Sequence, residues 1–505
     1  MKSLFSYTIN KGLSFRYASF LFQAKHPLQV QDKIFRDLIH KAEKTVYGKE
    51  YGYSSIKDPE TFRQRTPLND YNSLKKYIDL ILAGEKDVLY PGRVKWFAKS
   101  SGTTNDKSKY IPVTNDALNK CHYKAGRELI ALVFNLIPET EVYYGSGLVL
   151  GGSQQINKHS HHSRIGDLSS ILLHNLPLWT KFWQEPSYKS IFYEDWEQKI
   201  EIIARKVLNK RITHITGVPT WTVVLFNKLL EISGKNNIYE LWPSLELYVH
   251  GGVNFAPYEA LFKKYIPNEK MIYLETYNAS EGFFGLQDQL DTKDMLLLCD
   301  HGVYYEFIPA DEMHKENPKV IGLEDVVPDK NYIIVITTNG GLWRYMIGDT
   351  LRFTSVNPYR FRLTGRTKHF INAFGEELIV ENAETAIAAA SKMTNAIIKD
   401  FTAAPLYFEE KGKASHEWVI EFEQAPDNIT TFTEILDQKL KEVNSDYEAK
   451  RHKDLALGAP LIHNVNKGTF YNWMKTKNKL GGQNKVPRLA NDRDYIDDLL
   501  KFINK

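Results

Sequence analysis

At 505 residues the chain exceeds what one hydrophobic core ordinarily holds, so about two or three domains are expected. With 43% apolar and 25% charged residues it has the composition of a soluble globular protein and excludes a fibrous or disordered one. A net charge of only +4, spread over dispersed Lys and Arg, argues against a nucleic-acid partner, and two cysteines without paired spacing, Cys121 and Cys299, fit a reducing cytoplasm.

The N-terminal stretch MKSLFSYTINKGLSFRYASFLFQ lacks the apolar core and cleavage site of a signal peptide, and it is read as packing onto the body. A peripheral membrane contact is its other reading. No run of about eighteen apolar residues exists, so no spanning helix is expected. Residues 31–45 carry Ile34, Phe35, Leu38, Ile39 and Ala42 at helical spacing, and 194–209 repeat the pattern through Trp196, Ile200, Ile203, Ala204 and Val207. A second unit recurs, a β-branched or aromatic run followed by a Gly-bearing loop. VKWFAK leads into Ser100 and the residues after it, Arg211 to Thr216 into Gly217-Val218-Pro219, and Leu245 to Val249 into His250-Gly251-Gly252. Met271 to Thr276 likewise leads into Tyr277-Asn278-Ala279-Ser280-Glu281-Gly282. As βα units of a largely parallel sheet, these would bring four loops to one carboxyl edge, where open α/β sheets bind ligands.

From about residue 296 the pattern changes to antiparallel: Val303 to Ile308 alternates, Tyr332 to Thr337 is a buried run, Thr338-Asn339-Gly340-Gly341 is a hairpin-type turn, and Leu342 to Thr354 continues as strand. The basic segment Arg360 to Lys368 marks a boundary, with Gly365 to Lys368 as the hinge candidate, and a fresh α+β alternation follows it. The expected class is α/β. A large N-terminal domain (1–362) has mixed, mainly parallel sheets flanked by helices plus a small antiparallel β-barrel or sheet. A smaller α+β C-terminal domain (363–505) follows as a mobile lid.

Residues 100–109, SSGTTNDKSK, concentrate hydroxyls and closely spaced backbone N–H groups and end in cations, which suits a loop wrapped around phosphate oxygens. It is not a Walker A loop, because Gly102 is followed by Thr103, Thr104, Asn105 and Asp106. Glu281 offers a hard oxygen ligand for Mg²⁺, Tyr277 an aromatic face for adenine, and Asp349, closing WRYMIGD, an acceptor for ribose hydroxyls. Lys485 in GGQNKVPR is a cation in a Gly-flanked loop, suited to charge developing at a phosphoryl centre. Each motif alone has a plain structural reading as a turn or surface loop. His159, His161 and His162 form a His cluster that reads as a solvated loop, with a metal site as its alternative. His250 is placed either to meet a substrate or to hydrogen-bond at the edge of the core.

SSGTT…K, YNASEG, RYMIGD and NKVPR, in that order over about 390 residues, resemble the Gretchen Hagen family of auxin-responsive acyl acid–amido synthetases, within the acyl-adenylate-forming superfamily. The resemblance implies that Ser100, Ser101, Gly102, Thr103, Thr104 and Lys109 embrace the ATP phosphates and that Tyr277 and Ser280 border the nucleotide. It further implies that Glu281 ligates Mg²⁺, that Asp349 and Arg366 reach the ribose, and that Lys485 contacts the reacting phosphate and carboxylate. HGGVNFAPY, with His250, Gly251 and Gly252, is similar to the family's acyl-side loop. Asn105-Asp106 departs from the superfamily pattern, which has Gly at the second of these places; Asp106 is expected to point away from the phosphates. The implied activity is ATP-dependent activation of a carboxylic acid as acyl-AMP, with transfer to an amine such as an amino acid. A carboxylate–coenzyme A ligase and an inactive nucleotide- or acyl-binding protein are the alternatives.

Overall fold

The computed structural model describes the chain except for residues 1, 101–108, 151–155, 177–183, 186–195, 253–254, 314, 316, 367–369, 372–375, 377, 407–414, 445–446, 449–450, 452–456, 478, 480–485, 491 and 505. Two compact units form. The first comprises Met1–Val218, Trp242–Gly252 and Lys270–Arg362; the second comprises Pro219–Leu241, Val253–Glu269 and Leu363–Lys505.

Strands of the first unit are, in chain order, β1 (Trp96–Ser100), β2 (Lys109–Val113), β3 (Ser146–Leu150), β4 (Ile156–Lys158), β5 (Arg164–Gly166), β6 (Gln184–Glu185), β7 (Ile212–Gly217) and β8 (Leu247–Gly251). They continue with β9 (Ile272–Ala279), β10 (Gly282–Gln287), β11 (Met295–Leu297), β12 (Val303–Pro309), β13 (Asn331–Thr338), β14 (Tyr345–Val356) and β15 (Tyr359–Arg366). Among the described residues, eleven of them make one sheet in the order β12-β13-β14-β15-β11-β10-β9-β8-β7-β3-β6. From β6 to β9 the pairing is parallel; β9 then turns back on β10, and the pairings β9–β10, β10–β11, β11–β15, β12–β13 and β13–β14 are antiparallel. The antiparallel part expected as an attached barrel or sheet is therefore a continuation of the parallel sheet.

The helix Tyr123–Leu136 covers this junction, with Val133 packed on Leu247, Val249 and Leu274. Full burial of such side chains contributes about 1.5–3 kcal/mol each. Because side chains alternate along a strand, the residues between them, Tyr248 and His250 on β8 and Tyr273, Glu275 and Tyr277 on β9, face the other side of the sheet. Tyr248 and Tyr273 meet edge-on there at 6.3 Å.

VKWFAK departs from expectation. β1 lies in a separate four-stranded sheet, order β2-β1-β5-β4, and pairs antiparallel with β2 with Ser100 opposite Lys109. KYIPV is itself strand-forming, so β1 leads into a hairpin partner instead of a helix.

One buried charge cluster ties the N-terminal helices to the sheet. Glu306 on β12, 1% exposed, accepts from Arg344 Nε at 2.9 Å and from Arg63 Nε at 3.0 Å. Arg344 also donates to the carbonyls of Arg63 (3.0 Å) and Thr66 (2.6 Å). Beside it Asn69 bonds the Trp343 carbonyl at 2.7 Å, and Trp343 stands edge-on to Tyr53 at 4.9 Å.

The second unit contains β16 (Phe370–Ile371), β17 (Leu378–Ile379), β18 (Ile397–Leu406), β19 (Ser415–Gln424) and β20 (Leu461–Val465). The last three form a sheet in that order, antiparallel then parallel. Helices Val380–Met393 and Ile429–Val443 pack on one face through Ile387, Phe432 and Leu436, against Phe401, Trp418 and Ile420. Helices Thr469–Thr476 and Asp494–Ile503 cover Val419 and Ala404 on the other.

Replacing Glu306 with Leu leaves two guanidiniums facing an apolar side chain. Stability is expected to fall by about 3–5 kcal/mol, read as a lower urea midpoint; an unchanged midpoint would show that the cluster contributes nothing.

Candidate active site

Three of the four expected loops leave neighbouring strands. β7, β8 and β9 lie side by side, so their carboxyl ends fall at one edge of the sheet. The register pairs His250 with Glu275 and Gly251 with Thr276, and the Thr276 hydroxyl donates to the His250 carbonyl at 3.1 Å. A Cβ on Gly251 would stand 2.4 Å from the Thr276 carbonyl oxygen, so glycine is what lets β8 and β9 pair to their ends. Gly252, at φ +80°, then turns the chain out of the strand. His250 is buried, and burial lowers its imidazole pKa to about 3, with the positive charge of Lys293 acting in the same direction. It is a neutral ring at physiological pH, able to hydrogen-bond but not to supply a cation.

The TYNASEG segment is a β-hairpin. β9 runs to Ala279, β10 starts at Gly282, and Ser280 and Glu281 form the tip, the serine buried and the glutamate partly buried. Tyr277 is 5% exposed; its ring lies against Phe284 at 4.9 Å and Phe361 at 6.1 Å. Its hydroxyl donates to Asp349 Oδ2 at 2.5 Å. The phenol thus orients a carboxylate.

Asp349 lies inside a strand, not at its end. β14 continues to Val356, but opposite β13 the register passes from Met346–Val335 to Thr350–Ile333, so extra residues bulge out around Gly348, which takes φ +88°. Such a bulge re-aims the side chain that follows it. The bulge and the Tyr277 hydroxyl together fix the Asp349 carboxylate beside the β9–β10 hairpin.

Other site candidates are distributed as follows. Lys109 opens β2, with its ammonium 6.0 Å from the Tyr71 ring centre. Ser100 ends β1. Ser101, Gly102, Thr103, Thr104 and Lys485 lie outside the described residues, and Arg366 is described only as the last residue of β15. His159, His161 and His162 are exposed in the turn between β4 and β5, where Arg93 contacts His162 Nδ1 at 2.6 Å. Among the described residues, no group of three or more His, Cys, Asp or Glu is arranged to hold a metal ion. Mg²⁺ at a nucleotide commonly takes only one or two protein carboxylates, with phosphates and water completing the shell. A single carboxylate at Glu281 fits that donor set.

Two motif arginines serve the fold. Arg344 of RYMIGD is the buried partner of Glu306. Arg488 of NKVPR is partly buried in the second unit, paired with Asp400, donating to the Tyr258 hydroxyl at 2.6 Å and lying 4.5 Å from the Phe401 ring centre. A residue not singled out from the sequence is Glu275. It sits mid-strand on β9, partly buried; burial raises its carboxyl pKa to about 7, against the charges of Lys293 and Arg362. The readable signal is an acidic residue within the strand-like run MIYLET.

Comparison with known proteins identifies the family and the fold. The GH3 family N-terminal domain matches residues 16–271, its central domain 296–366 and its C-terminal domain 381–494. The indole-3-acetic acid-amido synthetase GH3.3 of Arabidopsis thaliana is 23% identical, over 91% of this chain and 89% of the relative. The 4-substituted benzoates-glutamate ligase GH3.12 of the same plant is 24% identical, over 91% of this chain and 92% of its own. Among solved structures, the GH3.15 acyl acid amido synthetase superposes with a TM-score of 0.79 at 18% identity, covering 97% of this chain and 95% of that one. The chain has the adenylate-forming fold and belongs to the GH3 family.

Proposed function

We propose that this chain is an ATP-dependent ligase that activates a carboxylic acid as acyl-AMP, releases pyrophosphate, and passes the acyl group to an amine, an amino acid, to form an amide. The observation that carries the reading is the carboxylate of Asp349, held by Tyr277 directly beside the hairpin that bears Ser280 and Glu281. An anchored carboxylate can accept hydrogen bonds from both ribose hydroxyls. The match of all three GH3 domains in order, and relatives named as amido synthetases or ligases, support the same reaction class.

A carboxylate is a poor acyl donor because its leaving group would be oxide. Attack of the substrate carboxylate on the α-phosphorus of ATP replaces that group with AMP, but two anions must first meet. In this reading Ser100 to Thr104 and Lys109 hold the polyphosphate in line. Glu281 holds Mg²⁺, which supplies charge neutralisation at the phosphates. Asp349 and Arg366 fix the ribose, and Lys485, from residues 363–505, meets the reacting phosphate and carboxylate. His250, Gly251 and Gly252 border the acid, where a neutral imidazole avoids trapping the substrate carboxylate as an ion pair. No described helix is long and apolar enough to cross a membrane. The two free buried thiols, Cys121 and Cys299, suit a reducing cytoplasm.

The test is acid-dependent ATP–pyrophosphate exchange over a panel of aryl, indolyl and fatty acids, followed by product analysis with amino acids and with coenzyme A. Lys485→Ala is expected to slow exchange by about 10²–10³-fold, the scale of one electrostatic stabiliser. Exchange that survives this change would remove Lys485 from the reaction. Asp349→Asn is expected to raise the KM for ATP by about 10–100-fold, the worth of hydrogen bonds to a charged group, with a smaller change in the KM for the acid. Equal effects on both substrates would contradict a ribose-binding role.

A further inference from the structure

Glu275 stands one strand position from the candidate site and is used by none of the steps above. On β9 it precedes Tyr277 by two residues and so shares its sheet face; on β8 its register partner is His250. Its backbone N–H donates to Gln287 Oε1 at 2.9 Å, but among the described residues no group hydrogen-bonds its carboxylate. The charged and titratable groups that bear on it are Lys293, in the connection between β10 and β11, and Arg362 on β15, with neutral His250 facing it across the strand pair.

We propose that Glu275 is the proton acceptor for the amine in the second half-reaction. The proposal rests on the amide-forming reading above. An amino acid arrives as an ammonium ion, whose nitrogen has no lone pair with which to attack. Transfer of one ammonium proton to the Glu275 carboxylate gives a carboxylic acid and a free amine. The amine nitrogen then bonds to the acyl carbon of acyl-AMP, and the bond from that carbon to the phosphate oxygen breaks. AMP leaves with that electron pair, and the nitrogen's second proton passes to the departing phosphate or to solvent. The anionic carboxylate also attracts the cationic acceptor.

Two observations favour Glu275 over its neighbour for this task. His250, with a pKa lowered to about 3, cannot hold a proton near neutral pH. Glu275, raised to about 7 chiefly by burial, both holds and releases one there, which is where a general base works best. Since the base must be ionised, amide formation is expected to rise with pH through about 7.

The experiment compares wild type with Glu275→Gln and Glu275→Asp in three assays: acid-dependent pyrophosphate exchange, amide formation with an amino acid, and hydroxamate formation with hydroxylamine. Hydroxylamine is largely unprotonated at neutral pH and needs no base to attack. In E275Q, amide formation is expected to fall by about 10²–10⁴-fold and to climb with pH as the free-amine fraction does, without the levelling-off above about 7 that an ionised base gives, while exchange and hydroxamate formation stay within a few-fold of wild type. E275D is expected to recover part of the amide activity and its pH dependence. Unchanged amide formation in E275Q would overturn the proposal, and so would an equal loss of hydroxamate or of exchange, because each shows that Glu275 does something other than accept the amine's proton. Wild-type protein that shows no exchange with any acid would instead sink the adenylation reading itself.

Discussion

β9 is the strand at which the parallel and antiparallel parts of one sheet meet, and the candidate site depends on that. On one side it closes a parallel set with β8, β7, β3 and β6; on the other it folds back on β10 and starts the antiparallel series. A parallel set places its loops at one edge, whereas a hairpin places its tip beyond the end of its own strands. Because both geometries meet in β9, the edge carrying His250 and Gly251 and the tip carrying Ser280 and Glu281 are consecutive parts of one rigid element. Gly251 permits the close approach that keeps the junction continuous, since any side chain there would strike the Thr276 carbonyl.

Around this element the buried polar groups divide by role. Glu306 pairs with both Arg344 and Arg63 and fastens helices to the sheet; Arg488 joins Asp400 and Tyr258 within the second unit. Asp349 is held by a neutral phenol, the Tyr277 hydroxyl. For Glu275, the charges of Lys293 and Arg362 offset only part of the effect of its burial. Charges that a fold leaves incompletely matched are costly, and they are the ones a substrate can use.

Much of this could be read from the residues. RITHIT, LELYV and MIYLET became β7, β8 and β9, because β-branched and aromatic runs ending at Gly or a polar turn specify buried strands strongly. The four motifs in order were sufficient to indicate the family, whose three domains match along the chain. What could not be read is pairing. VKWFAK has a strand's composition whether its neighbour is a helix or the strand KYIPV, and only the fold assigns it to a second sheet. Gly348-Asp349 looked like a turn; a glycine with positive φ serves a turn and a bulge equally well. Tyr277 gave no sign that its hydroxyl would hold Asp349. Glu275 stayed hidden because its meaning lies in its register with His250, a relation between strands that are distant in sequence.

The central claim is that the acid's carboxylate attacks the α-phosphorus of ATP, and an isotope transfer tests it most directly. With a turnover-competent acid labelled with ¹⁸O in both carboxylate oxygens, the AMP released with the amide should carry one ¹⁸O, and the pyrophosphate none. Label appearing in inorganic phosphate alongside ADP, or AMP formed without label, would contradict an acyl-adenylate and require a different activated intermediate.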